Sequence, residues 1–280
     1  MKNSVIKLIL LFCFFGILSC NENSPVIPCL SCEDEEVVIQ PTDKKIIIEE
    51  FTGVRCVNCP AGSAEIEGLL DIHGEQLIAV SIHAGFFSTP YTNSKEDYTT
   101  PDGTALEGFL DSPLGYPTAV INRKLFENQD DRQVSQSAWA GLIQQEKGQL
   151  SPLVLDLNLD FDETTRQLTA TTNIQSAETL TGEYRYSVMV IENGIVDVQL
   201  TPEEGEKEDY VHKHVLRDMM TPFDGESIDE AFTAGTTVEK VHQMILPENY
   251  NATKVSVIVM VHETGDSREI VQVEEKRLAE

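Results

Sequence analysis

The stretch Ile46-Ile47-Ile48-Glu49-Glu50-Phe51-Thr52-Gly53-Val54-Arg55-Cys56-Val57-Asn58-Cys59-Pro60 sets a strand, a turn and a cysteine pair in immediate succession. The isoleucines and Phe51 form the β-branched and aromatic run of a buried central strand. Thr52-Gly53-Val54-Arg55 turns the chain into a C-x-x-C. Beyond it Ile66, Leu69, Leu70 and Ile72 recur at helical spacing, and Gly74 supplies a stop. A cysteine at the start of a helix lies against unpaired N–H groups and the positive end of the dipole, which favour the thiolate. Cys56 is therefore expected to be the exposed attacking thiol, with Arg55 adding positive charge. Cys59, one turn into the helix, is the shielded resolving thiol. A buried Glu50 would take or return the proton on Cys59, and Pro60 is tolerated in a first helical turn.

Working outward, Leu77-Ile78-Ala79-Val80-Ser81-Ile82 reads as a second buried strand and residues 104–111 as a short helix. Tyr116-Pro117-Thr118-Ala119-Val120-Ile121-Asn122 opens a strand at a proline. Residues 135–147 close the unit as a helix with Trp139, Leu142 and Ile143 on one face. Residues 84–101 are a polar insertion, with His83 at the strand end before it. This order, with a C-x-x-C beside a βαβ pattern, resembles the thioredoxin fold. The resemblance implies a thioredoxin-like domain over residues 43–149, with Glu50 as the buried acid and Pro117 as a cis-proline facing the disulfide. Gly115 would permit the close approach. The resemblance also implies thiol–disulfide exchange. Arg55 stands where the family usually has Trp, and Val57-Asn58 replaces its Gly-Pro pair, which bears on the potential and the direction of reaction. A disulfide that merely staples the fold is the alternative, because fold does not dictate function.

The rhythm changes at Ser151-Pro152. Leu153, Leu155, Leu157, Leu159 and Phe161 alternate with polar residues, and Leu168, Ala170, Thr172 and Ile174 return after the turn at 162–165. Residues 184–191 lead to the turn signal Asn193-Gly194. Further strands are expected at 237–245, 254–262 and 268–274, and residues 201–230 read as a long loop. Six or seven short strands without helices predict an all-β immunoglobulin-like sandwich domain over residues 150–280. His212 and His214, at i and i+2, would share a strand face, but Lys213 between them argues against a metal site.

The N-terminus reads as an address. Lys2 and Lys7 bracket a short basic segment, and the eleven-residue apolar run 8–18 that follows it leads into Ser19-Cys20, a signal-peptide core rather than a membrane span. The ending resembles a bacterial lipobox, which implies cleavage after residue 19 and acylation of Cys20. Residues 20–42 form an acidic, proline-containing tether that carries Cys29 and Cys32. The 23 residues between the two C-x-x-C pairs exceed the usual spacing of a four-cysteine zinc site. No metal or cofactor is expected, and the Cys29–Cys32 pair reads as a tether disulfide. The chain has 47 Asp and Glu against 20 Lys and Arg, a formal charge of −27. That balance excludes the basic face that phosphate-backbone binding needs, so nucleic acid is no partner.

The lipobox, the acidic tether, the segment Glu49 to Pro60 and the later His212-Lys213-His214-Val215-Leu216-Arg217 together resemble the Omp28-related outer-membrane lipoproteins of Bacteroidetes. The resemblance implies a cell-envelope protein held at the outer membrane by N-terminal lipid. Two functions fit the chain. One is a thiol–disulfide oxidoreductase acting on thiols or disulfides of envelope proteins through Cys56, Cys59, Glu50 and Pro117. The other is a non-enzymatic binding or adhesion lipoprotein in which the disulfide is structural.

Overall fold

Strand β1 (Ile46–Thr52) is buried along its whole length. It can be so apolar because helices and strands cover both of its faces. Helix α1 (Cys59–His73) carries the chain back to β2 (Leu77–His83), which pairs with β1 in parallel from Ile46↔Leu77 to Thr52↔His83. Helix α2 (Pro101–Phe109) begins with proline after Thr100, whose hydroxyl accepts the Gly103 N–H at 2.9 Å. Strand β3 (Thr118–Ile121) lies antiparallel on the other side of β1, and α3 (Trp139–Glu146) follows. These elements come from a computed structural model that describes residues 38–279. The signal segment, Cys20, Cys29 and Cys32 lie outside the described residues.

The remaining strands are β4 (Leu153–Asp162), β5 (Gln167–Ser176), β6 (Tyr184–Glu192), β7 (Ile195–Thr201), β8 (Gly205–His212), β9 (Val215–Met219), β10 (Thr237–Ile245), β11 (Val255–Glu263) and β12 (Ile270–Arg277). They do not close a sandwich of their own. One sheet runs β12-β11-β6-β9-β2-β1-β3 and ends on the short strand Val134–Ser135, with Glu226–Ile228 paired to β6. The two parts of the chain join where β9 meets β2 in parallel at Val215↔Ser81, and the Ser81 N–H donates to the His214 carbonyl at 2.7 Å. A second, three-stranded sheet, β10-β5-β4, lies over the C-terminal strands. Leu153, Leu155, Leu157, Leu168, Ala170 and Ile174 pack there against Tyr186, Val188, Val257, Val259 and Val261. The sandwich expected from the alternation of residues 153–174 is thus half new sheet and half a continuation of the central one.

Two cores flank β1. Ile46 and Ile48 meet Ile66 and Leu69 of α1 and Trp139, Leu142 and Ile143 of α3. Ile47 and Phe51 face Leu106 and Leu110, together with Ile191, Leu216, Ile258 and Met260 from the C-terminal strands. The change of rhythm near residue 150 therefore marks no break in the core. Residues 201–230 are also more ordered than a loop, since they hold β8, β9 and Glu226–Ile228. Strand β8 (Gly205–His212) is polar and largely exposed, and its backbone pairs with β7 in a two-stranded hairpin. Backbone pairing needs no apolar period, so the sequence conceals it.

The chain enters the folded body through a clamp. Thr42–Asp43 pairs antiparallel with Leu150–Ser151. Gln272 of β12 accepts the Lys45 N–H at 2.9 Å and donates to the Asp43 carbonyl at 3.2 Å. Lys44 sits between Glu146 at 3.6 Å and Glu269 at 3.0 Å. Among the described residues no helix is long and apolar enough to cross a membrane.

Adjacent residues of β1 point to opposite faces, so Glu49 projects away from α1. Its carboxylate is fully buried and forked by Arg123, also fully buried, with Nε–Oε2 at 3.0 Å and Nη2–Oε1 at 2.8 Å. Removing one partner leaves a buried charge uncompensated. Arg123→Met should lower unfolding stability by about 3–5 kcal/mol, measured by urea titration at neutral pH. A loss below 1 kcal/mol would show that the pair is solvated.

Candidate functional site

Cys56 and Cys59 form a disulfide with Cα atoms 5.3 Å apart. The turn after β1 is closed by the Cys56 N–H bonding to the Gly53 carbonyl at 3.0 Å, and the Cys59 N–H bonds to the Cys56 carbonyl at 3.2 Å. The helix proper begins at Cys59, so this cysteine, rather than Cys56, occupies its first position. Cys56 lies three residues ahead. It is also not exposed: Cys56 retains 3% of its accessible surface and Cys59 1%.

Two segments make that cover. The hairpin β7–β8 reaches the cysteine turn through Gln199, whose Nε2 donates to the carbonyls of Cys56 at 3.0 Å and Gly53 at 3.3 Å. The Leu200 N–H adds a bond to the Val54 carbonyl at 2.8 Å. The insertion before α2 supplies the other side. Arg55, expected to bias Cys56 toward the thiolate, instead donates to the Thr89 and Pro90 carbonyls at 2.6 and 2.7 Å and lies 4.1 Å over the Tyr91 ring. Asp197 ties the insertion to the hairpin by accepting from the backbone of Lys95 and Glu96 and, at 2.9 Å, from the Tyr98 hydroxyl. Gly53 is required here because a Cβ would stand 2.4 Å from the Phe87 backbone.

Glu50 is fully buried on the α1 side of β1. Its Oε2 accepts the Ser81 hydroxyl at 3.0 Å, while Oε1 has no partner. Burial pushes the carboxyl pKa up to about 8, against a smaller downward pull from the Ser81 bond. The group is therefore mostly protonated at neutral pH. The Tyr116–Pro117 peptide is cis, and Pro117 meets α1 at Gly62. A Cβ on Gly62 would come within 2.9 Å of both Glu50 Oε1 and the Pro117 ring. The acid, the proline and the first turns of α1 thus converge on the helix that starts at Cys59. The expected close approach falls on Gly62, not on Gly115, where a Cβ would meet nothing within 4 Å. The small-residue run Ala61-Gly62-Ser63-Ala64 was the available signal for it.

His83 is buried, with its ring 5.1 Å from Tyr98 and 5.7 Å from His212. Burial lowers its pKa to about 3 and that of His212 to about 4, so both are neutral at pH 7 and add no charge to the site. His212 and His214 do not share a face. His212 packs into the aromatic cluster, whereas His214, at φ 54°, lies 3.0 Å from Glu67 of α1. That hydrogen bond from His214 is the main cause that holds the Glu67 carboxyl well below the usual range. Beside this pair a cavity of about 310 Å³ runs between α1 and the hairpin. Pro60, Ser63, Ala64, Tyr210 and Val211 form its walls and Ser81 contributes to its lining. No local pattern announces it, because its walls come from segments far apart in the chain, residues 60–67 and 210–214.

Comparison with known proteins adds a family. Residues 112–280, more than half the chain, match the family described as Outer membrane protein Omp28. The matched region includes Pro117 and the hairpin but begins after the disulfide. No curated relative matches. Among solved structures, HBP35 of Porphyromonas gingivalis superposes with a TM-score of 0.68 at 19% identity, covering 85% of this chain and 77% of that one. A protein from Agrobacterium tumefaciens gives 0.53 at 13% identity over 86% and 97% of the two chains. A domain of the outer membrane lipoprotein Omp28 from Porphyromonas gingivalis gives 0.32 at 13% identity over 46% and 89%. The chain belongs to the Omp28 family of outer-membrane proteins, and its place is the cell envelope at the outer membrane.

Proposed function

We propose that this protein is a lipid-anchored thiol–disulfide exchange protein of the outer membrane, with a thioredoxin-like site acting on cysteines of other envelope proteins. The observation that carries the reading is the convergence of the Cys56–Cys59 disulfide, the buried Glu50 and Pro117 on the first turns of one helix. The lipobox ending at Cys20 supports the anchor. In the reducing direction the Cys56 thiolate attacks a partner disulfide, forming a mixed disulfide and releasing one partner thiolate. Glu50, as carboxylate, takes the proton of Cys59. The Cys59 thiolate then attacks Cys56 Sγ, which reforms the internal disulfide and releases the second partner thiolate. Two electrons pass to the partner, and the same steps reversed oxidise a partner dithiol.

Glu50 supports the reading from the energetic side. A fully buried carboxyl with one unpartnered oxygen opposes folding, and groups kept against stability are concentrated at functional sites. The burial of Cys56 beneath Gln199 favours a second reading, in which the disulfide is a staple and the β-rich body binds a partner. In the first reading the hairpin must open before exchange.

Three measurements separate the readings and test the site they share. The Cys59→Ser protein, expressed in the native envelope and alkylated, should carry mixed disulfides through Cys56 on non-reducing gels. Their absence, with a wild-type disulfide that resists thiol buffers, would leave the staple. Gln199→Ala should speed reduction of the disulfide by dithiothreitol roughly fivefold, the effect of losing about 1 kcal/mol of clamp; an unchanged rate means that the hairpin does not limit access. The folded Glu50 keeps its proton up to about pH 8, whereas the unfolded chain releases it near 4.5. Its contribution to stability is therefore complete below pH 4.5 and is lost as the pH rises toward 8. Glu50→Gln should match wild type at pH 4 and exceed it by on the order of 3–5 kcal/mol at pH 8, read from urea unfolding across that range. A difference that stays flat with pH rules out the buried neutral acid.

A further inference from the structure

Ser81 takes part in three features of the structure at once. Its backbone N–H donates to the His214 carbonyl at 2.7 Å, at the point where the two parts of the central sheet join. Its hydroxyl donates to Glu50 Oε2 at 3.0 Å. It also lines the 310 Å³ cavity between α1 and the hairpin. Glu50 itself has no exposed surface. A carboxyl that changes protonation during a reaction needs a route for its proton, and a hydroxyl, both donor and acceptor, can serve as one link of it.

We infer that Ser81 is the positioning residue of the site. It holds the Glu50 carboxyl with Oε2 on the cavity side and Oε1 free toward Gly62 and Pro117, and it is the contact through which Glu50 exchanges its proton with cavity water. The inference rests on the exchange reading for the use made of that proton, but not for the geometry. The titratable and charged groups around this face are Cys59 and Glu67 from α1, His83 from β2, Tyr210 from β8, and Lys213 and His214 from the following turn. Glu67 is committed to Lys213 and His214. His83 is neutral, and Cys59 does not titrate while oxidised. Ser81 is the hydrogen-bond partner of Glu50 in the structure, so its removal acts on Glu50 directly.

The test uses the oxidised full-length protein and reads the Glu50 carboxyl by infrared or carbon-detected NMR titration, with Glu50→Gln to assign the signal. Ser81→Ala removes a donor to the charged form and should move the Glu50 midpoint upward by about one pH unit; Ser81→Thr, which keeps the hydroxyl, should restore it. Where exchange is active, the same shift lowers the carboxylate fraction at pH 7, and the resolving step should slow about tenfold in Ser81→Ala. A midpoint unmoved by Ser81→Ala, or moved equally by both substitutions, overturns the assignment, as does an exchange rate that ignores a shifted midpoint. If wild type exchanges with no partner while the titration shift is present, the exchange reading falls and the positioning of Glu50 by Ser81 stands.

Discussion

Two carboxylic acids stand side by side in the central strand, and neither reaches water. The alternation of β1 sends Glu49 to one core and Glu50 to the other, and each is neutralised differently. Arg123 forks the Glu49 carboxylate, at a position where Asn122 and Arg123 both take positive φ values of 50° and 52°. Positive φ is uncommon outside glycine, and the buried pair helps to hold it. Glu50 has no cation and keeps its proton instead. The same strand thus carries one acid in a buried ion pair and one whose burial holds its proton near neutral pH.

The C-terminal strands do more than enlarge the core. They supply β9, which completes the hydrogen bonding of β2 at Ser81, and the hairpin that seals the cysteine turn. Gln199 and Leu200 bind the turn itself, and Asp197 binds the insertion that holds Arg55. The disulfide turn of residues 56–59 is therefore bound by residues 195–212. This is a physical reason for the chain to be much longer than the helix-and-strand unit around the cysteines.

Much of this was legible from local pattern. The β-branched run at 46–48 specified a buried strand, the spacing of Ile66 and Leu69 a helix, and the alternation from Leu153 to Phe161 a half-buried strand, because each reflects burial on a face set by its own backbone period. The acidic Glu50 and the proline at 117 were also visible, and the structure brings both to α1. What stayed hidden depends on segments distant in sequence. Cys56 looked exposed because nothing near it announces Gln199. Arg55 looked available to a thiolate because the carbonyls of Thr89 and Pro90 have no side-chain signature. The hairpin strand 205–212 is polar on both faces, so only its backbone pairing makes it a strand. The continuity of the sheet at Ser81 and Val215 leaves no mark on either local sequence.

The clamp at Thr42 and Asp43 has a mechanical meaning. Any tension arriving along the preceding chain meets a short antiparallel ladder to residues 150–151 and the amide of Gln272 before it reaches β1. The load passes sideways into α3 through Glu146 and into the last strand, rather than along the axis of the central strand. Peeling β1 from its neighbours then requires that several cross-links to remote parts of the chain fail together.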